Sequence, residues 1–273
     1  MGNYHRKSNR SPSAGRVLLV PVLGTILLIL AIIVGLMSRG RTVPEVPTEP
    51  TLAPNPYTPA DFIRQGDYLT LANGTARLGV DVSEHQKEID WAQVADAGME
   101  FAFVRLGYRG YTQGGMFTDA YAAQNIAGAR EAGLKVGAYF YSQAVSVAEA
   151  QEEAAFCIDF LKDHSIDLPV VFDWEYVSGE ARTAGVDKQT LTEAAKAFCE
   201  AMEAAGYQAM IYFNPHIASD YLDLFALDEY GFWLSLYTET MTYPNKVSFW
   251  QYTERGSVPG ITGNADINIW FPD

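Results

Sequence analysis

The sequence contains little cysteine and little histidine, the two residue types on which most protein zinc and redox sites depend. Its 273 residues include two cysteines, Cys157 and Cys199, and four histidines scattered along the chain. No CxxC pair and no cysteine–histidine spacing typical of zinc is present. We therefore predict no metal and no cofactor. Both cysteines fall at apolar positions of predicted helices, a pattern compatible with either a disulfide or two buried free thiols.

Basic residues are also scarce, except near the start of the chain. Residues 61–273 carry 13 Lys/Arg against 31 Asp/Glu. So acidic a domain lacks the positive charge with which proteins bind the phosphates of nucleic acids. We expect no nucleic-acid partner, and we expect the protein to be a monomer.

The N-terminal part of the chain differs sharply in composition from the rest. Residues 17–37, VLLVPVLGTILLILAIIVGLM, form an uncharged run that would span roughly 30 Å as a helix, the hydrocarbon thickness of a bilayer. A cleaved signal peptide is the alternative, but the run is long and no small-x-small cleavage site follows it. More basic residues precede the run than follow it, which favours a cytoplasmic N-terminus.

These features predict an order of segments along the chain. A cytoplasmic tail over 1–16 precedes a single membrane-spanning helix over 17–37, so the protein would reside in the cell membrane with its domain outside. Six prolines between residues 42 and 60 are typical of an extended spacer. We assign the linker to 38–76 and the extracellular domain to 77–273.

From residue 78 onward, short strand-like runs alternate with helical runs, which predicts a parallel sheet. Eight strands predict an α/β fold with a closed (β/α)-type barrel. Prolines and glycines between 237 and 247 and between 253 and 265 leave no room for a helix. We therefore expect an irregular barrel with fewer than eight outer helices. The predicted strands are 78–82, 101–106, 134–141, 169–174, 208–213, 231–237, 247–253 and 265–270, and the predicted helices begin at Asp90, near 119, at Ser146 and at Thr190.

The stretch PVVFDWEY, residues 169–176, reads as a buried strand that ends in two carboxylates. Side chains alternate along a strand, so Asp173 and Glu175 share one face. Barrel active sites form at the carboxyl ends of the strands. The same alternation aims polar and aromatic side chains of the seven other strands at this space. They include the carboxyl groups of Asp81 and Asp266, Arg105 as the only obvious counter-charge, Gln251, and the aromatic rings of Tyr139, Tyr212, Trp233 and Tyr237.

Four carboxyl groups in one pocket should repel one another, and repulsion and burial both raise a carboxyl pKa. A protonated acid beside an ionised one suits acid-catalysed cleavage of a glycosidic bond, and the aromatic side chains with Gln251 and Arg105 would bind the sugars. Glu175, nearest the strand end, is the predicted general acid, kept protonated by the charge of its neighbour. Ionised Asp173 would attack the sugar or orient the 2-acetamido group of the substrate. Asp81 and Asp266 would hold substrate and tune the charge of the pocket.

At this point the chain resembles the family 25 glycoside hydrolases, the Chalaropsis-type lysozymes. The resemblance implies an irregular eight-stranded barrel and an N-acetylmuramidase that cleaves the β-1,4 bond between N-acetylmuramic acid and N-acetylglucosamine in peptidoglycan. It places the D-x-E motif on Asp173 and Glu175, and the other two family aspartates on Asp81 and Asp266. Lys87 departs from the family pattern, since glycine is common there. The motifs are GVDVSEHQKEIDW (79–91), FAFVRLGYRG (101–110), VGAYFYSQA (136–144), PVVFDWE (169–175), MIYFN (210–214), WLSLY (233–237), FWQYT (249–253) and VPGITGNADIN (258–268).

Two other functions are compatible with parts of this pattern. A non-catalytic wall-binding protein could retain the pocket, although the complete set of four acids argues against it. A related D-x-E glycosidase could act on chitin-like polymers. The expectation that follows from the whole pattern is a membrane-anchored hydrolase of peptidoglycan glycan strands.

Overall fold

Eight β-strands closed into a barrel form the centre of the computed structural model, which describes residues 51–271. A short antiparallel hairpin, β1–β2, precedes the barrel, and β5 extends its sheet at β4. The strands are β1 Phe62–Gln65, β2 Tyr68–Leu71, β3 Arg77–Val82, β4 Met99–Arg109, β5 Met116–Thr118, β6 Lys135–Ser142, β7 Val170–Trp174, β8 Ala209–Phe213, β9 Phe232–Ser235, β10 Phe249–Gly256 and β11 Ala265–Trp270.

The barrel closes where its first strand, β3, pairs with both β4 and β11. Seven of the eight barrel strands run parallel, but β11 is antiparallel to both of its neighbours. A parallel connection needs a crossover of about a dozen residues or more, and the segment 257–264 between β10 and β11 is shorter than that. The eight predicted strands and the closed barrel are confirmed, and the reversed direction of β11 is an addition to the predicted parallel sheet.

Five α-helices lie within the described residues, so the prediction of fewer than eight outer helices is confirmed. They are α1 Trp91–Asp96, α2 Ala122–Glu131, α3 Val147–Leu161, α4 Lys188–Ala204 and α5 Pro215–Asp220, with 3₁₀ turns at Pro59–Asp61, Arg182–Gly185 and Leu224–Tyr230.

The N-terminal caps of the helices agree with the sequence in two cases and differ in one. The side chains of Asp90 and Ser146 accept backbone N–H bonds at the starts of α1 and α3, as predicted. Helix α4 begins earlier than predicted, because the Asp187 carboxylate accepts the N–H of Thr190 at 2.7 Å and serves as the cap. Thr190 itself lies in the first turn of α4.

The two faces of each barrel strand bury different sets of side chains, as the alternation predicted. Val171 packs inside the barrel in an aromatic-rich cluster with Phe101 and Phe103. Phe172 and Trp174 face outward into the larger core beneath the helices. Because the interior below the pocket is filled by apolar rings, the polar side chains of the strands are confined to one end of the barrel.

Cys157 in α3 and Cys199 in α4 are buried free thiols, which decides between the two alternatives that the sequence left open. Burial raises the pKa of both thiols well above the usual value.

Across residues 51–271, no helix combines the length and the apolar character that crossing a bilayer requires. The predicted tail 1–16, the predicted membrane helix 17–37 and the linker residues before 51 lie outside the described residues.

The described part of the predicted linker, residues 51–76, is packed on the barrel, so the structure differs from the extended spacer predicted there. The backbone of Asn55 donates to the Pro244 carbonyl at 2.8 Å. The Tyr57 ring stacks on Phe271, with centroids 4.6 Å apart. In the hairpin, Phe62 lies edge-on to Trp250 at 5.3 Å.

The reason for this packing lies in the missing helices. No α-helix follows β9 or β10, so the outward-facing Trp250 and Tyr252 of β10 lack the cover that helices give to other strands. The apolar residues Phe62, Leu69 and Leu71 of the hairpin join the same core and supply that cover. The sequence did not predict this role, because the segment contains many prolines and few apolar residues. Three side chains of the hairpin make the contribution.

We expect Phe62→Ala to lower the free energy of unfolding by about 3 kcal/mol, the usual cost of truncating a buried phenylalanine. Ile63→Ala is the matched control, because its side chain is 45% exposed on the other face of the same strand, and it should cost less than about 1 kcal/mol. Urea denaturation measures both values. Equal, small effects of the two changes would mean that the hairpin does not stabilise the barrel.

Candidate active site

An acidic cavity of about 250 Å³ opens at the end of the barrel where the parallel strands finish. All ten residues predicted from the sequence line it, and their roles stay predictions. Its lining consists of Asp81, Arg105, Tyr139, Tyr141, Asp173, Glu175, Tyr212, Trp233, Tyr237, Gln251, Glu254 and Asp266.

The strand register explains why the acids meet. Asp173 lies beside Tyr141 of β6 and Tyr212 of β8, and Glu175 follows directly after β7. On the opposite wall, Asp81 near the end of β3 is paired with Asp266 near the start of β11. Because β11 is antiparallel, the beginning of this strand lies at the barrel end where its neighbours finish.

Two side-chain amides hold the Asp81 carboxylate. The Asn268 amide donates to Asp81 Oδ2 at 2.7 Å, and the Gln251 amide donates to the same oxygen at 2.9 Å. Burial nevertheless raises the pKa of Asp81 above its ordinary value, while these hydrogen bonds and one with Asp266 lower it. Burial raises the pKa of Asp266 to about 9, and the negative charge of Asp81 adds to the rise. The pair therefore favours an ionised Asp81 beside a protonated Asp266.

Both amides are themselves held in place by aromatic side chains. The Gln251 carbonyl oxygen accepts from the hydroxyls of Tyr212 and Tyr237 at 3.0 and 3.1 Å. The Trp233 indole N–H donates to the carbonyl oxygen of Asn268 at 2.8 Å. Gln251, predicted to bind substrate, thus has both ends of its amide engaged within the protein, and its observed contacts orient Asp81.

Asp173 and Glu175 are both shifted toward the protonated form. Burial raises the pKa of Glu175, and the charge of Asp81 raises it further. Burial also raises the pKa of Asp173 well above its ordinary value, and the charges of Glu175 and Asp81 add to this rise. No donor in the described residues reaches Asp173 Oδ1. Burial is the leading cause of both shifts, so the protonation of Glu175 does not depend on the charge of Asp173 alone.

Arg105 lines the cavity, but its direct hydrogen-bond partners are two acids that do not line it. Its Nε donates to Asp119 at 2.8 Å and its Nη2 to Glu84 at 3.2 Å. The predicted counter-charge of the pocket is therefore largely neutralised by its own neighbours. Sequence reasoning missed Asp119, which lies in the loop after β5, where strand alternation gives no signal.

The four predicted sugar-stacking rings differ in how much surface they offer. Tyr237 is 49% exposed, whereas Tyr139 and Tyr212 are below 10% and Trp233 is 1% exposed. Trp233 also stacks on Phe103, with centroids 4.6 Å apart. These three rings line the cavity but offer it little surface, and their role in binding sugars stays a prediction. Only Tyr237 among the four has an open face.

Two further lining residues were not among the predicted ligands. Tyr141 lies on the inward face of β6, as strand alternation predicts, although it was not assigned a role in the site. Glu254 could not be found this way, because the β10–β11 register shifts after Gln251 and a bulge of this kind changes the face to which later side chains point.

Lys87, where the family pattern has glycine, adopts φ +56°, the left-handed conformation that glycine adopts most easily.

A second cavity of about 530 Å³ adjoins the first and shares Arg105, Tyr139, Tyr141 and Asp266 with it. It extends the acidic cavity along the mouth of the barrel toward His85 and Tyr111, so the site is a cleft open to an extended ligand. Within residues 51–271, no group of three or more histidine, cysteine or acidic side chains is arranged to hold a metal ion.

The site has the features of a glycoside hydrolase. It combines buried carboxyl groups of raised pKa, an exposed tyrosine ring and an open cleft at the carboxyl end of a barrel. Comparison with known proteins agrees with this class. Residues 80–261 match the model of glycosyl hydrolases family 25. The chain belongs to this family, as the sequence motifs predicted.

Similar proteins come from several bacteria. Escherichia coli K12 YegX is 28% identical over 206 residues, covering 70% of this chain and 68% of that protein. The autolytic lysozyme of Clostridium acetobutylicum is 26% identical over 194 residues, covering 70% of this chain and 54% of that protein. Among solved structures, the modular autolysin LytC from Streptococcus pneumoniae, in complex with synthetic peptidoglycan ligand, has a TM-score of 0.63 at 28% identity. That match covers 74% of this chain and 48% of LytC, so the chain spans about half the length of that autolysin.

We expect Asp266→Asn to stabilise the fold more at pH 8 than at pH 5. Asp266 ionises near pH 4 in an unfolded chain but near pH 9 in the folded protein. Its contribution to stability is therefore complete below about pH 4 and is lost as the pH rises toward 9. Asparagine has no proton to lose, so the gain in Tm should grow with pH.

Thermal melts at the two pH values measure this difference. Asp228→Asn, at an exposed position away from the cavity, serves as the control and should change Tm equally at both. A Tm gain for Asp266→Asn that does not depend on pH would contradict the protonated state assigned to Asp266.

Proposed function

We propose that this protein is an N-acetylmuramidase that hydrolyses the β-1,4 bond between N-acetylmuramic acid and N-acetylglucosamine in peptidoglycan. The observation that carries the proposal is the placement of Asp173 and Glu175 side by side in one buried acidic cavity with Asp81 and Asp266. Membership of family 25 supports the reaction class, and the relatives named as an autolytic lysozyme and an autolysin support the substrate.

Glu175 is the general acid of this mechanism. It lies at the mouth of the cavity just beyond β7, and burial raises its pKa, so it holds a proton at the pH where an ordinary glutamate has lost it. The proton passes to the glycosidic oxygen as the bond to the anomeric carbon breaks. The resulting carboxylate then takes a proton from the water that completes hydrolysis.

Asp173 acts in this proposal on the 2-acetamido group of the substrate sugar. Its Oδ1 is buried and has no donor in the described residues, and a buried acceptor without a partner is costly. An acetamido N–H seated there would supply the donor and lower the pKa of Asp173, since hydrogen bonds to a carboxylate favour its charged form. The ionised Asp173 would then orient the acetamido oxygen toward the anomeric carbon.

The products of digestion test the proposal directly. The purified full chain is incubated with peptidoglycan sacculi, and the released muropeptides are reduced and analysed by mass spectrometry. A reduced muramic acid at each new end is expected. A reduced glucosamine end would identify a different bond, and release from chitin oligomers in place of sacculi would identify a chitin-directed glycosidase. Binding without any release would indicate a wall-binding protein.

Glu175→Gln retains the shape of the side chain and removes its transferable proton. We expect turnover of sacculi to fall by at least about 10²–10⁴-fold, the usual contribution of general acid catalysis, while binding to sacculi in a pull-down is retained. Glu180→Gln is the control, because Glu180 is exposed in the loop after β7, and it should leave turnover unchanged. Retention of more than about a tenth of wild-type turnover by Glu175→Gln would assign the acid to another residue.

We further propose that residues 17–37 anchor the protein in the cell membrane with the barrel outside. The uncharged run and the basic residues before it support this topology. Protease treatment of intact cells should remove the barrel and leave a membrane-bound stub that a tag on residue 1 detects. Mature protein in the medium, with a new N-terminus near residue 40, would instead mean that the run is a cleaved signal peptide.

A further inference from the structure

Gln143 is a fully buried amide that follows directly after β6. Its Nε2 donates to the backbone carbonyl of Glu175 at 2.8 Å and to the carbonyl of Ser142 at 2.9 Å. One side chain therefore joins the ends of the adjacent strands β6 and β7, at the residue proposed as the general acid. The backbone immediately beyond β7 is no longer held by the strand ladder, so this hydrogen bond replaces a missing ladder contact.

The carbonyl and backbone of Gln143 are held in turn by the segment that follows Glu175. The Thr183 hydroxyl donates to Gln143 Oε1 at 3.4 Å, and Arg182 Nη1 donates to the Gln143 backbone carbonyl at 2.6 Å. Arg182 also forms two hydrogen bonds with the Glu149 carboxylate of α3. Thr183 is fully buried as well. The amide is thus fixed at both of its ends and along its backbone.

We propose that Gln143 is a positioning residue for the general acid, which sets the direction of the Glu175 side chain by holding the Glu175 backbone carbonyl. The inference rests on the proposed function of Glu175. A carbonyl fixed at one point restricts rotation of the peptide unit that follows it, and Glu175 is the first residue beyond β7. Without this restraint the carboxyl group is free to turn from the cavity toward water.

The amide matters for a second reason, which is its chemistry. Gln143 supplies two N–H donors to two backbone carbonyls, and it adds no charge to a cavity that five carboxyl groups already line. A lysine or arginine could also donate here, but its positive charge would favour the ionised form of Glu175 and so weaken the acid. A neutral donor positions Glu175 without removing its proton.

The test compares Gln143→Met with the wild type on sacculi. Methionine fills a similar volume and removes both donors. Displacement of a catalytic group by about 1 Å costs up to about 10²-fold, so we expect kcat to fall about 10- to 100-fold with KM changed less than about threefold. The pH profile supplies the readout that a purely structural role would not move.

The sign of the pH effect follows from the protonation that an acid catalyst needs. Activity is lost as the pH rises through the pKa of Glu175, which burial raises. A Glu175 turned toward water has a lower pKa, so the high-pH limb of the kcat profile of Gln143→Met should move to lower pH. The charged and titratable side chains that line the cavity with Glu175 are the same in both proteins, namely Asp81, Arg105, Tyr139, Tyr141, Asp173, Tyr212, Tyr237, Glu254 and Asp266.

Thr192→Val is the matched control for lost stability. Thr192 lies on α4 outside the barrel, and its hydroxyl makes two hydrogen bonds, to the Lys188 carbonyl and from the Asp223 N–H. This variant should lose stability and retain both kcat and the wild-type pH profile. Should Gln143→Met fail to fold, Thr183→Val removes only the hydrogen bond to the amide oxygen and should give the same shift in smaller measure.

The outcomes separate this inference from the proposed function. A wild-type protein that does not cleave sacculi refutes the function and with it the role of Gln143. A wild-type protein that cleaves them, together with a Gln143→Met protein that retains kcat and the high-pH limb, refutes the positioning role alone. A fall in kcat with an unmoved limb, matched by Thr192→Val, would assign Gln143 to stability and also refute the role.

Discussion

The cost of removing charge from water governs the construction of this site. Five carboxyl groups line one cavity, and burial of an ionised carboxylate is unfavourable unless donors or a cation compensate for it. The basic side chain within reach, Arg105, is engaged by Asp119 and Glu84. Compensation comes instead from neutral groups, the amides that hold Asp81, and from retained protons. Such a site keeps the Asp266 carboxyl protonated at neutral pH, since its pKa is raised to about 9, and this proton reduces the repulsion among the remaining carboxyl groups.

Two different kinds of element cover the outside of the barrel. Beside β6 and β7 the long helices α3 and α4 cover the strands, and Phe172 packs against Phe198 with ring centroids 5.3 Å apart. Beside β10 the chain that precedes the barrel takes the place of a helix. The region matched by the family begins at residue 80, so this cover is supplied from outside the segment that defines the family. The barrel strands and the segment that covers β10 are therefore separate in the sequence but packed together in the structure.

Sequence reasoning was strongest where one physical rule acts alone. Alternation along strands and the need to bury one face identified all eight barrel strands and ten of the twelve side chains that line the cavity. It was weaker where a second effect intervenes. A bulge in β10 brings Glu254 to the site. An N-terminal cap at Asp187 makes α4 begin before Thr190, where the sequence predicted its start. The partners of Arg105, the engagement of Gln251 by two tyrosines and the burial of Trp233 depend on distances between distant segments, which no local pattern contains.

Closure of the barrel between β3 and β11 also dictates when the site comes into existence. Asp81 and Asn268, which share a hydrogen bond, are separated by 187 positions in the chain, and contacts at such separation form slowly because a long loop must first be closed. Synthesis proceeds from the N-terminus, so β11 is the last strand to become available. The acidic dyad of Asp81 and Asp266 cannot assemble on a nascent chain that lacks β11. A polypeptide interrupted before β11 therefore carries Asp173 and Glu175 without the completed acidic site, and the order of synthesis itself delays completion of the acidic cavity until the fold is finished.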